Sequence, residues 1–331
     1  MEISMVRTCA VKQEFLQNCQ DVTRQSPDVT IDFEKLKDFA QALKTPDGGA
    51  PDWNEYLSAE TASSSEPDFP LILAELARIT AQNGGYLYQD GKGKTTKWQV
   101  DDSGAKALVG LFDKLRADHR KPLDFSASNE NMAVLTDYMK DLPYGQERLE
   151  ICREFTGQGT LAKMADILEH SKNDQTGDYR FDMKSIHMLA QHFPKSFGDD
   201  PLYKKAILTC LMAASHARSR GIKVDLDLPV AADYRLPETL HAAGVLKLTP
   251  ALAKRINNDE LLDQTDPAVS EMRAATIVAV DEICRISGLT IDKVDLALWM
   301  ASRDGTLDRL QQENAGQVLA KKHFSCRTLW F

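Results

Sequence analysis

The chain has 331 residues, 43% of them hydrophobic, with 40 basic against 49 acidic side chains and a formal net charge of −9. That length holds one large domain or two modest ones. The acidic balance removes the basic field that wrapping duplex nucleic acid needs, so a small molecule or a protein fits better as partner.

Apolar residues recur at helical spacing over 33–43 and 69–79, which predicts two amphipathic helices. Between them, 45–49 and 61–67 have the Pro, Gly, Ser and Asp content of exposed loops. Tyr86-Leu-Tyr88 and Lys97-Trp-Gln-Val100, around the turn Gly91-Lys-Gly-Lys94, predict a small β-hairpin over 85–100, the one strand signal in the chain. Helical patterns return at 105–118, 130–141, 147–155, 161–170, 183–193 and 202–218. Further on, Pro237–Ala243 predicts a short helix ended by Gly244, and Thr249 with Pro250 opens another as N-cap and first helical residue. A long helix over 269–287 closes at Gly288, and 292–302 follows. No internal repeat at fixed period occurs, which excludes solenoids. The expected fold is mostly α: a single domain over 1–331, with an N-terminal helical part to 120 that carries the hairpin and a catalytic helical part over 121–331.

The six cysteines stand far apart with no Cys-x-x-Cys pair, no run of about 18 apolar residues occurs, and the N-terminus lacks the charged and apolar regions of an export signal. Reduced thiols, no membrane segment and a cytoplasmic location are expected. There is no Gly-x-Gly-x-x-Gly after a strand, no complete Walker-type Gly-x-x-x-x-Gly-Lys-Ser/Thr, no His-Glu-x-x-His and no Gly-x-Ser-x-Gly, which counts against dehydrogenases, P-loop enzymes and zinc hydrolases. His187 and His192 are five apart rather than four, and none of the histidines has triad or metal spacing, so neither metal nor cofactor is expected. What remains is Leu228–Pro237, where Asp233, Tyr234 and Arg235 arrive just ahead of the Pro237 helix. A carboxylate there faces the exposed N–H groups and positive dipole end of that helix, which suits a charge-stabilising group. On local pattern alone, capping the helix or pairing with Arg235 accounts for Asp233 better than catalysis does.

Ala232-Asp-Tyr-Arg-Leu-Pro237, Gly244-Val-Leu246, Glu271-Met-Arg-Ala-Ala-Thr276, Asp295-Leu-Ala-Leu-Trp299 and Arg327-Thr-Leu-Trp-Phe331 resemble, in that order, the queuosine salvage family. Its members are queuosine 5′-phosphate N-glycosylases that release queuine. Leu202-Tyr-Lys-Lys-Ala206, Leu142-Pro143 with Glu147-Arg148, and the hairpin ending in Trp98-Gln-Val100 extend the likeness upstream, to residue 30. The resemblance implies an all-helical fold similar to helix-hairpin-helix DNA glycosylases and a catalytic carboxylate at Asp233, flanked by Ala232, Tyr234 and Arg235. The chain departs from the family pattern at Tyr86–Gln89, at Ala231 where a Phe is usual, and at Leu296 and Met300, which replace an aromatic and an acidic residue. These positions bear on the base pocket.

Hydrolysing an N-glycoside passes through an oxocarbenium-like sugar, which Asp233 would stabilise by charge or capture covalently. A 7-deazapurine has no N7 to protonate, so the leaving base needs hydrogen bonds elsewhere on its ring. Asp295 is the candidate for that role, against a plain helix-surface carboxylate. Trp299, at i+4 on the same face, walls the pocket with Met300 beside it, or simply packs in the core. Lys204, Lys205 or Arg273 would meet the 5′-phosphate. Against this stand a solvated face for the lysines and a pairing of Arg273 with Glu271 or other neighbours. Three further readings stay open: a glycosylase of a related deazapurine or purine nucleotide, a DNA-repair glycosylase, and a non-catalytic nucleoside-binding protein of the same fold. Stable nucleic-acid binding is not expected, because base flipping from a duplex needs phosphate contacts that an acidic chain does not favour.

Overall fold

Helices form where the apolar spacing predicts them: Phe33–Ala42, Phe69–Gln82, Asn129–Met139, Gly145–Glu154, Thr160–Ser171, Met183–His192, Lys204–Ser219, Arg235–Ala242, Pro250–Asn257, Pro267–Ser287 and Ile291–Ala301. The computed structural model describes residues 2–43, 53–64, 68–85, 87–89, 95–97, 129–140, 142–155, 159–303, 305–316 and 319–330. The helix expected over 105–118 and the loop over 45–49 lie outside them. Side chains close the helix ends as the sequence predicts. Thr249 accepts from the Leu252 N–H, and Gly288 ends the long helix at a φ of 70°, where only glycine is free of steric cost.

Among the described residues, three α-helices were not expected: Glu2–Gln25, Ala59–Ser63 and Thr306–Glu313. The first buries Cys19 but leaves Val22 exposed, so its apolar stripe is narrow. The second places 61–63, expected as loop, in a helical turn capped by Ser58.

The hairpin is present, Leu87–Gln89 pairing antiparallel with Thr95–Lys97, but it is not the sole strand structure. Val29–Ile31 pairs antiparallel with Leu246–Leu248, and Leu261–Asp263 pairs in parallel with Ser325–Arg327. Each of these strands has three residues, too short for a period-two signal, and its partner lies far away in sequence.

The chain divides into two compact units, one of Met1–Ala50 with Leu226–Arg327 and the other of Pro51–Asp225 with Thr328–Phe331. In the first, the Pro267–Ser287 helix is central, packed by Glu2–Gln25, Phe33–Ala42, Arg235–Ala242 and Ile291–Ala301. Leu36, Leu236, Leu240, Ile277, Val280, Val294 and Leu298 form its dry core.

In the second unit, the Phe69–Gln82 helix is buried at every position from Ile72 onward, against Lys204–Ser219, Thr160–Ser171 and Gly145–Glu154. Its C-terminal end is met by buried cations, which suits the negative end of a helix dipole. Lys205 Nζ donates to the Ala81 carbonyl at 2.6 Å. Arg148 donates from Nη1 to the Gln82 carbonyl, from Nη2 to Gly84 at 2.6 Å and from Nε to Pro143 at 2.8 Å. Gly85, at a φ of +68°, packs so closely that a Cβ would stand 2.7 Å from Leu329, 2.8 Å from Tyr144 and 3.0 Å from Arg148. The Leu142-Pro143 and Glu147-Arg148 motif thus does structural work, holding the backbone that leads into the hairpin.

Candidate active site

The run from Leu228 to Ala232 is buried, and a tight turn ends it, the Ala232 N–H donating to the Val230 carbonyl at 3.0 Å. Chain direction reverses there, and Asp233 emerges half-buried at the start of the Arg235–Ala242 helix. Its Oδ1 accepts from the Arg235 N–H at 2.7 Å and the Leu236 N–H at 3.2 Å. Capping is therefore a real role of this carboxylate. Among the described residues, no hydrogen bond reaches Oδ2.

The motif is held from beneath and from the side. Arg273, 1% exposed on the long central helix, donates from Nε to the Ala232 carbonyl at 2.9 Å. Two residues earlier on that helix, Glu271 Oε2 accepts from Ser26 Oγ at 2.5 Å, and Ser26 Oγ accepts the Val29 N–H at 2.8 Å. Glu271-Met-Arg273 therefore ties the first strand with one side chain and the Ala232–Arg235 segment with the other. Thr239 Oγ1, fully buried, donates to the Leu298 carbonyl at 3.0 Å and fixes the Arg235–Ala242 helix against the end of the Ile291–Ala301 helix.

Around Asp233 the charges alternate. Arg235 Nη1 lies 3.2 Å from Glu238 Oε2, while its Cζ sits 5.2 Å from the Tyr234 ring centroid. The Tyr234 ring packs at 4.9 Å against His323, tilted by 49°. Burial pushes the Tyr234 phenol above its usual range, and the Asp233 charge adds to that. Burial likewise lowers the His323 pKa from 6.5, helped by Arg235 and opposed by Glu238 and Asp233. His323 Nδ1 donates to the Phe324 carbonyl at 3.1 Å.

The other expected site residues fall in several places. Trp299 and Met300 are half-buried at the end of the Ile291–Ala301 helix, and Arg303 Cζ stacks 3.8 Å over the Trp299 ring. Asp295 is half-buried on the same helix, close enough to Cys284 for its charge to help raise that thiol's pKa. The helix stops at Ala301. Lys204 and Lys205 belong to the second unit, and both are 4% exposed, so neither is a solvated-face lysine. Burial depresses the Lys205 pKa well below the usual lysine value, with Arg148 and Lys204 adding to it.

Three members of the cluster were not singled out from the sequence. Glu238 carried a usable signal, an acid at i+3 from Arg235 on one helix. Arg303 carried one as well, four residues after Trp299, whereas His323 carried none, because it reaches Tyr234 only through tertiary packing.

Compared with known families, residues 131–331 match the queuosine salvage protein family. The chain belongs to that family. A queuosine salvage relative from Sphaerobacter thermophilus, named queuosine 5′-phosphate N-glycosylase/hydrolase, is 24% identical over 311 residues, 86% of this chain and 90% of the relative. A relative of the same name from Schizosaccharomyces pombe is 29% identical over 124 residues, 32% of this chain and 36% of that protein. The matched family region contains the Ala232–Arg235 segment, Arg273, Trp299 and His323. Among the described residues, no helix is long and apolar enough to cross a membrane.

Proposed function

We propose that the chain hydrolyses the N-glycosidic bond of queuosine 5′-phosphate and releases queuine, with Asp233 as the catalytic carboxylate. The observation that carries this reading is the division of labour in Asp233: Oδ1 is held by two backbone N–H groups, which aim the side chain while Oδ2 stays open. A carboxylate so preorganised faces the positive charge that develops on C1′ as the base departs, and either stabilises it or forms a glycosyl ester that water then cleaves. Tyr234, Arg235 and Ala232 shape the segment, Arg273 positions it through the Ala232 carbonyl, and Trp299 and Met300 stand at the end of the helix packed on the one that Asp233 caps. Asp295 remains the candidate for hydrogen-bonding the base.

Purified protein incubated with queuosine 5′-phosphate should release free queuine, detectable by chromatography. A panel of related deazapurine and ordinary purine nucleotides, run in parallel, tests base identity where Ala231, Leu296 and Met300 depart from the family pattern. Release of another base without queuine overturns the substrate, and release of none overturns the enzyme reading in favour of a nucleoside-binding protein.

A further inference from the structure

We infer that Arg303, stacked on Trp299, is the cation that meets the substrate's 5′-phosphate. The inference rests on the glycosidase reading above and names a residue within it. The cations expected for this task, Lys204, Lys205 and Arg273, are all buried, and Arg235 beside Asp233 is engaged as well. Arg273 is buried with Nε on the Ala232 carbonyl, and Lys205 is buried with Nζ on the Ala81 carbonyl. Arg235 is paired with Glu238.

Arg303 differs from all of these. Its side chain is exposed, and among the described residues it makes no ion pair. The Trp299 ring occupies the face of the guanidinium at 3.8 Å, which leaves its edge, with the N–H donors, open for a bidentate contact with a phosphate. Its position is fixed rather than floppy. The Arg303 N–H donates to the Met300 carbonyl at 2.8 Å, Ser302 Oγ donates to the Trp299 carbonyl at 2.7 Å, and the Thr239 bond to Leu298 ties this helix end to the helix that Asp233 caps. A nucleoside 5′-phosphate carries its anion on the same ribose whose C1′ must reach the carboxylate. A guanidinium at the helix end that Thr239 ties to the Asp233-capped helix is therefore placed for the phosphate, and it offsets the repulsion between that anion and Asp233.

The test compares wild type, Arg303→Met and Arg303→Lys on queuosine 5′-phosphate and on dephosphorylated queuosine. In the Met variant, the kcat/KM preference for nucleotide over nucleoside should fall by about 10- to 100-fold, the loss of one charge-assisted pair, and the Lys variant should recover part of it. Equal losses on both substrates, or an unchanged preference, overturn the assignment. A second measurement does not depend on turnover: calorimetry of ribose 5-phosphate and of ribose. Wild type should bind the phosphate form more tightly, and Arg303→Met should erase the difference; a difference that persists in the variant overturns the proposal. If wild type releases no base from either substrate, the glycosidase reading falls, while the calorimetry still decides whether Arg303 holds a phosphate.

Discussion

At the residue scale, the two oxygens of Asp233 separate two roles that a simple deletion would confound. Asparagine keeps an oxygen acceptor for the Arg235 and Leu236 N–H groups but loses the charge. Asp233→Asn should therefore cut queuine release by several orders of magnitude while the melting temperature barely moves. Asp233→Ala removes the cap as well and should cost about 1 kcal/mol of stability in addition. Denaturant titrations of both variants beside their turnover decide this, and an Asn variant with full activity would leave the carboxylate as a cap alone. The cap was legible in the sequence, since an Asp just ahead of a Pro-containing first turn is a local pattern. Catalysis was legible only through the ordered likeness of distant motifs. His323 was not legible at all, because nothing near it in sequence marks a ring that packs on Tyr234.

At the element scale, the Ala232–Arg235 segment and the helix it opens are tied by single bonds to two neighbouring helices. Arg273 gives its Nε to the Ala232 carbonyl from a position almost sealed from solvent. Arg273→Met keeps much of the apolar volume but leaves that buried carbonyl unpaired, at a cost of about 1–3 kcal/mol. Turnover should fall with it, since Asp233 is the next residue. Full turnover with lowered stability would show that the support is structural only. Thr239→Val removes the bond to the Leu298 carbonyl without changing shape much, and because that carbonyl keeps the Ser302 N–H as a donor it should cost only about 0.5–1.5 kcal/mol. An unchanged unfolding midpoint would show that the two helices are held by apolar packing alone. Long helices with one apolar face were readable from spacing because each carries several turns of signal. Short strands were not, because Val29–Ile31 and Leu246–Leu248 acquire their identity only from each other.

At the scale of the whole molecule, the burial of neutral imidazoles sets a pH below which the first unit weakens. His241 Nδ1 donates to the Leu246 carbonyl at 2.7 Å, so its Nε2 must be the acceptor of the Ala320 N–H at 3.1 Å. A proton on Nε2 would turn donor against donor, and burial independently lowers the His241 pKa from 6.5. His323 is lowered in the same direction. With the folded values below the unfolded one, the unfolded chain takes up protons first as the medium is acidified. The stabilisation is therefore complete above pH ~6.5 and is lost as the pH falls from there through the folded pKa values, by up to about 1.4 kcal/mol per pH unit for each histidine. Asp281, raised by burial, acts in the opposite sense but is one group against two. Asp263, held at about 2 by its hydrogen bond to Arg327, matters only in a more acidic window, below the ordinary carboxylate range. Melting temperatures measured from pH 8 to pH 5 should fall through the histidine window in the wild type and fall less steeply in His241→Gln. Coinciding slopes for the two proteins would remove His241 from the account, and a flat wild-type profile would remove both histidines.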